Sequence, residues 1–197
     1  LFKGFAKSMS LTHGYSSNYR EGWRIDAAGK RQVPVQSISY GLSPLIGMNI
    51  TFNNLWGGNL SGNARFNTRN SFDLTNSTAK ITESYTKDIN VSATFSKSGF
   101  ELPFFGLSLK NDISFTVGYT YSHQASTLYD LKDWKDDGDI LNGNTRTIIE
   151  PNLKYTISSR VTINLFYKRT TYEPDGATTT PATTTNEAGL EVHISIQ

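Results

Sequence analysis

Asn59-Leu60-Ser61-Gly62-Asn63-Ala64-Arg65-Phe66-Asn67-Thr68-Arg69-Asn70-Ser71-Phe72-Asp73-Leu74-Thr75 alternates with a period of two. Its even positions include Leu60, Ala64, Phe66, Phe72 and Leu74. Its odd positions Asn59, Ser61, Asn63, Arg65, Asn67, Arg69, Ser71 and Asp73 hold no apolar residue. Side chains alternate faces along a β-strand, so this spacing predicts one strand with a wholly polar face.

The same period recurs along the chain, and helical spacing is nearly absent. Phe5, Met9, Leu11 and Tyr15 oppose Ser8, Ser10 and Thr12. Ile38, Tyr40, Leu42, Ile46, Met48, Ile50 and Phe52 share one parity, with Pro44 inside the run predicting a bulge or a break. Five further runs follow: Tyr85 to Phe95, Ile113 to Tyr121, Ile149 to Ile157, Val161 to Tyr167 and Leu190 to Ile196. Phe166 interrupts the polar face of the Val161 run. The count is about eight strands, in one unit over residues 1–197.

Soluble sandwiches also alternate, so three further features decide the class. Several runs reach roughly 11–17 residues, where soluble strands cluster near 5–6 and membrane-spanning ones need about 9–11. Aromatic residues (Phe52, Phe72, Tyr85, Phe95, Tyr121, Tyr155 and Tyr167) recur toward the ends of the apolar faces, as in the girdles of membrane barrels. The connections Ser16 to Pro34, His123 to Asn144 and Thr170 to Asn186 read as long loops. Those at Asn54 to Gly58 and Ser158 to Arg160 read as short turns. Long outer loops alternating with short periplasmic turns are the barrel pattern, although Lys97 to Ser108 is longer than that pattern wants. The expected fold is therefore all-β: an antiparallel, up-and-down transmembrane β-barrel wall in a bacterial outer membrane.

Composition agrees with this class. Of 197 residues 37% are hydrophobic, too dilute for any run of the roughly 20 apolar residues of a membrane helix. A formal charge of +2 with both signs mixed offers no case for nucleic acid. The absence of Cys removes disulfides and thiolate metal sites. The sequence opens at Leu1 without a signal peptide, which reads as a mature chain or a C-terminal fragment of a longer one.

Chemistry-bearing motifs are sparse. His13, His123 and His193 have no ligand-spaced neighbour. Asp130, Asp133, Asp136, Asp137 and Asp139 put Lys135 and Asn144 where a calcium loop needs oxygen ligands and a bidentate Glu, and so read as a solvated loop. No nucleophile-elbow, phosphate-loop or dinucleotide motif occurs. No enzyme activity and no cofactor is expected. The polar faces are the candidate functional surface. Their charged members are Arg65, Arg69, Asp73, Asp88, Asp112, Arg146, Glu150, Lys154, Lys168 and Glu191, candidates to face a lumen. A narrow barrel would fill its interior and pair these charges. A wide one would leave them wetted around a channel.

Ser43-Pro44-Leu45-Ile46-Gly47-Met48-Asn49-Ile50-Thr51-Phe52 resembles the near-terminal segment of the SprA/Sov family. These are large outer-membrane translocon proteins of type IX secretion, tied to gliding motility. The polar strand Asn63 to Leu74, the Leu102-Pro103 turn before Lys110-Asn111-Asp112-Ile113, the hairpin Tyr155 to Tyr167 and the opening Leu11-Thr12-His13-Gly14-Tyr15 are similar in order and spacing. The final Ile196-Gln197 departs from the terminal aromatic common in barrels. The resemblance implies the C-terminal part of a larger barrel forming a protein-conducting pore. Its implied partners are outer-membrane lipids, the remaining strands of the barrel, secretion components such as PorV, and secreted proteins as cargo. Two alternatives stay open: a self-contained eight-stranded barrel acting as anchor or adhesin, and a soluble extracellular β-sandwich binding module.

Overall fold

The computed structural model describes residues 6–52, 54–102, 107–133, 137–176 and 180–195. They form one antiparallel sheet of nine strands: β1 (Ala6–Thr12), β2 (Tyr15–Ile25), β3 (Arg31–Phe52), β4 (Asn59–Thr75), β5 (Lys80–Leu102), β6 (Leu107–Asp130), β7 (Asp139–Ser158), β8 (Val161–Asp175) and β9 (Thr183–Ile194). From β3 to β9 each strand pairs with its sequence neighbour. β1 and β2 lie end to end along β3, β1 against its second half and β2 against its first. Nine strands therefore occupy eight positions across the sheet. The sheet is open, with β1 and β2 at one edge and β9 at the other.

The break between β1 and β2 and the irregularity at Pro44 are one feature. The β3 register against β4 jumps from Leu42↔Thr68 to Ile46↔Phe66, so four residues of β3 span two of β4. This is the bulge that Pro44 predicts, and its Ser43–Pro44 peptide is cis. Opposite it the Gly14 amide donates to the Pro44 carbonyl at 2.9 Å and the Ser43 amide to the Gly14 carbonyl at 2.8 Å. A Cβ on Gly14 would stand 2.7 Å from the Ser43 carbonyl oxygen, so only glycine fits this approach.

The three long loops expected from the sequence are mostly strand. β2 and the start of β3 fill Ser16 to Pro34, β6 runs to Asp130 before β7 resumes at Asp139, and β8 runs to Asp175 before β9 starts at Thr183. The physical reason is that backbone pairing continues where apolar alternation stops, as in Thr170-Thr171-Tyr172 against Thr183-Thr184-Thr185. β5 and β6 reach 23 and 24 residues, about twice what a bilayer needs.

Turns alternate between two rims. β3 and β4, β5 and β6, and β7 and β8 adjoin at the rim where β9 ends; β2 and β3, β4 and β5, β6 and β7, and β8 and β9 adjoin at the far rim. Trp56 and Gly57, both at positive φ (53° and 73°), turn the chain between β3 and β4. Among the described residues no hydrophobic side chain is buried, because a single sheet has no second layer to cover it.

Candidate functional site

The ladders place all ten charged candidates on one face. Arg65 lies across from Asn90, Arg69 from Thr86, Asp73 from Thr82 and Asp112 from Ser98. Asn67, Asp88, Ser122, Arg146 and Tyr172 form one rung from β4 to β8. Glu150 faces Gly118, Lys168 faces Glu187, and Lys154, Asn164 and Glu191 make another rung. No two of the ten form an ion pair with each other. They contact small polar neighbours instead: Ser122 Oγ donates to Asp88 Oδ1 at 2.6 Å, and Asn164 Nδ2 to Glu191 Oε2 at 3.2 Å. Glu191 Oε2 also lies 3.6 Å from His193 Nε2. The Ser98 hydroxyl donates to Asp112.

Between the charges the face is carpeted with short hydroxyls and amides. Asn63 Nδ2 donates to Ser92 Oγ at 2.7 Å, Thr94 and Thr116 hydroxyls meet at 3.1 Å, and Thr120 Oγ1 donates to Asn90 Oδ1 at 3.3 Å. Each is a cross-strand pair, the unit that holds a sheet laterally. From β4 through the middle of β6 no aromatic side chain stands on this face. Phe166, the outlier on β8, is directly opposite Gly189 and covers its bare backbone.

The other face carries an apolar belt. On β5 it comprises Ile89, Val91, Ala93 and Phe95, framed by Lys87 and Lys97 on the same parity. Ten residues of strand separate these lysines, about 33 Å at about 3.3 Å per residue. Ladder partners continue the belt as Leu60 to Phe66 on β4 and Ile113 to Tyr121 on β6, then Ile149 to Ile157, Tyr167 to Val161, and Ala188 to Ile194. Val91, Phe115, Ile149, Leu165, Leu190, Val192 and Ile194 are all exposed. Beyond the belt, toward the far rim, polar residues stand on both faces.

The belt crosses the strands obliquely. Its far edge runs through Lys87 on β5 and His123 on β6, which are partners. On β7 it falls at Thr147, opposite Tyr121, and on β8 at Arg169, opposite Ile149 and hence on the rung of Tyr119. Asn186 marks it on β9, opposite Arg169. The edge thus slides four residues, from the rung of His123 to that of Tyr119, over four strand steps. The near edge moves the same way, from Phe95 on β5, opposite Phe115, to Ile194 on β9, opposite Val161, which pairs with Ser158. One residue per strand, with strands about 4.8 Å apart, corresponds to an inclination of roughly 35°. Transmembrane barrel strands tilt by about 35–45°.

The residues that edge this belt, Lys87, His123, Arg169 and Lys97, are missing from the candidate set. A lysine at each end of four alternating apolar residues is the sequence signal that marks Lys87 and Lys97, whereas His123 and Arg169 join them only through the register. Lys87 Nζ lies 5.6 Å from the Phe66 ring centroid, and Lys97 Nζ donates to the Trp56 carbonyl at 3.1 Å. Trp56 in turn meets Phe95 edge-on at 6.2 Å between centroids.

The remaining sequence candidates do not assemble. Among the described residues no three of His, Asp and Glu gather into a metal-holding group; Asp136 lies outside those residues. His13 Nδ1 is 2.7 Å from the Leu45 carbonyl, beside the Pro44 bulge. His123 Nδ1 lies 3.0 Å from Thr145 Oγ1 and 3.3 Å from Asp175 Oδ2. No protein-family model matches this chain, and no curated protein is significantly similar to it.

Proposed function

We propose that this chain is part of the wall of a wide transmembrane β-barrel in a bacterial outer membrane, serving as a protein-conducting pore. The observation that carries the membrane reading is the inclined belt. Framed by Lys87 and Lys97 and tilted by roughly 35°, it stands about 27 Å tall, against about 25 Å for the apolar band of outer-membrane barrels. A water-soluble sheet has no reason to keep an uncovered apolar band at constant height across inclined strands.

The opposite face supports a wide lumen. A narrow barrel fills its interior with side chains, whereas Ser92, Thr94, Thr116, Gly118 and Asn63 are too short to meet across one. The dispersed, unpaired charges fit a wetted wall. From β4 through the middle of β6, a lining of small hydroxyls without aromatics offers a passing polypeptide few adhesive contacts. The resemblance of Ser43–Phe52 to the SprA/Sov translocons gives this pore its specific assignment, type IX secretion, with PorV-like partners and secreted proteins as cargo.

A second reading is a small eight-position barrel in which β9 closes on β1 and β2; the even number of positions favours it. Refolding residues 1–197 in detergent separates the two. As part of a larger wall the fragment leaves two edges of unpaired N–H and C=O groups, each costing several kcal/mol in hydrocarbon. It is then expected to aggregate or fail to fold. A heat-modifiable monomer overturns the large pore in favour of the closed small barrel.

A further inference from the structure

The far edge of the apolar belt is sorted by charge. On its five strands from β5 to β9 the first residue past the belt is Lys87, His123, Thr147, Arg169 or Asn186, which are cationic, titratable or neutral and never acidic. The carboxylates of the same face come farther out: Glu83 lies four residues beyond Lys87, and Glu173 four beyond Arg169. Asp175 is the one that reaches back, to His123 at 3.3 Å. The Lys87 ammonium sits against the Phe66 ring at the belt's margin, 5.6 Å from its centroid. Lys and Arg lay their methylene stems on apolar surface and hold their charge at its border.

We infer that Lys87 and Arg169, with His123 between them, hold phosphate-bearing lipid headgroups along this rim of the membrane. The inference rests on the membrane reading above and adds a lipid chemistry to it. Phosphate groups of a bilayer lie just past the end of its hydrocarbon, which is where the inclined edge puts these side chains. The opposite edge is built differently: Lys97 Nζ donates to a backbone carbonyl, that of Trp56.

The test is lipid retention by the full-length protein in nanodiscs carrying an equimolar mixture of a diphosphorylated glycolipid and its dephosphorylated form, read by native mass spectrometry. The phosphorylated form is expected to be retained about thirtyfold over the other, from two cations at the membrane surface. Lys87→Gln with Arg169→Gln is expected to bring the ratio near one, and Lys97→Gln to leave it. Should the double variant fail to insert, each single variant is expected to lose about fivefold. Equal retention by the unaltered protein, or a double variant with an unchanged ratio, overturns the inference. Displacement of the lipid by millimolar inorganic phosphate also overturns it, in favour of a general anion site. A spin label at Val91 is read in the same nanodiscs: a label in water means that the membrane reading itself has failed, and a label in lipid confines the failure to the headgroups.

Discussion

Phe166 and Gly189 face each other across β8 and β9, and the phenyl Cζ lies 2.6 Å from where a Cβ on Gly189 would stand. The ring shields backbone that glycine leaves bare, which explains an aromatic on an otherwise polar face. Gly189→Ala is expected to force the ring aside and cost about 1–3 kcal/mol, as overpacking does. Phe166→Ala should relieve part of that cost, so the double variant is more stable than the sum of the singles. Heat-modifiability midpoints of the full-length protein measure this; strict additivity contradicts the contact.

The two faces should respond oppositely to charge. Val91→Arg or Val117→Arg puts a cation in the belt and is expected to cost about 2–4 kcal/mol of insertion. Ser92→Arg and Thr116→Arg, one residue away on the polar face, should insert normally. A folding assay in lipid vesicles that finds equal tolerance at both parities refutes the assignment of faces.

The β2–β3 tip should depend on acid. Asp26 accepts hydrogen bonds from the Gln32 side chain at 2.9 Å and from the Lys30 and Ala28 amides at 2.8 and 2.9 Å, and these hold its carboxyl below the ordinary value. A carboxylate with a depressed folded value stabilises above its unfolded value, and that contribution disappears as pH falls through the folded one. Protection of the Ala28 and Lys30 amides, taken relative to the intrinsic exchange rate at each pH, should therefore hold at pH 5 and fall only well into acid. Asp26→Ala should remove that protection at every pH. Exchange that is indifferent to the substitution contradicts the role of Asp26.

Sidedness follows from the rims. An epitope tag at Gly176 is expected to be reached by antibody on intact cells and one at Gly57 only after permeabilisation. The reverse pattern inverts the topology.

Alternation made the belt legible: Ile89 to Phe95, Ile113 to Tyr121 and Leu190 to Ile194 can be read from sequence because one face meets an apolar phase and the other does not. Beyond the belt polar residues stand on both faces, with apolar ones such as Phe72 and Tyr85 only scattered among them, so Tyr15 to Ile25 and Thr183 to Asn186 lose the period although their backbones stay paired. For that reason Ser16 to Pro34, His123 to Asn144 and Thr170 to Asn186 read as loops in the sequence and are mostly strand in the fold. Pro44 predicted its bulge, but nothing local shows that Gly14 answers it from across the sheet. The shared face of the ten charges followed from parity. The belt's slope is a relation among strands and needs the register.

The most direct test of a membrane wall is a spin-label scan along β5 of the full-length protein in lipid, from Glu83 to Lys97. Lipid contact is expected at Ile89, Val91, Ala93 and Phe95, water contact at Asn90, Ser92 and Thr94, and water at both Glu83 and Ser84. Water contact at Val91 equal to that at Ser92 would contradict it.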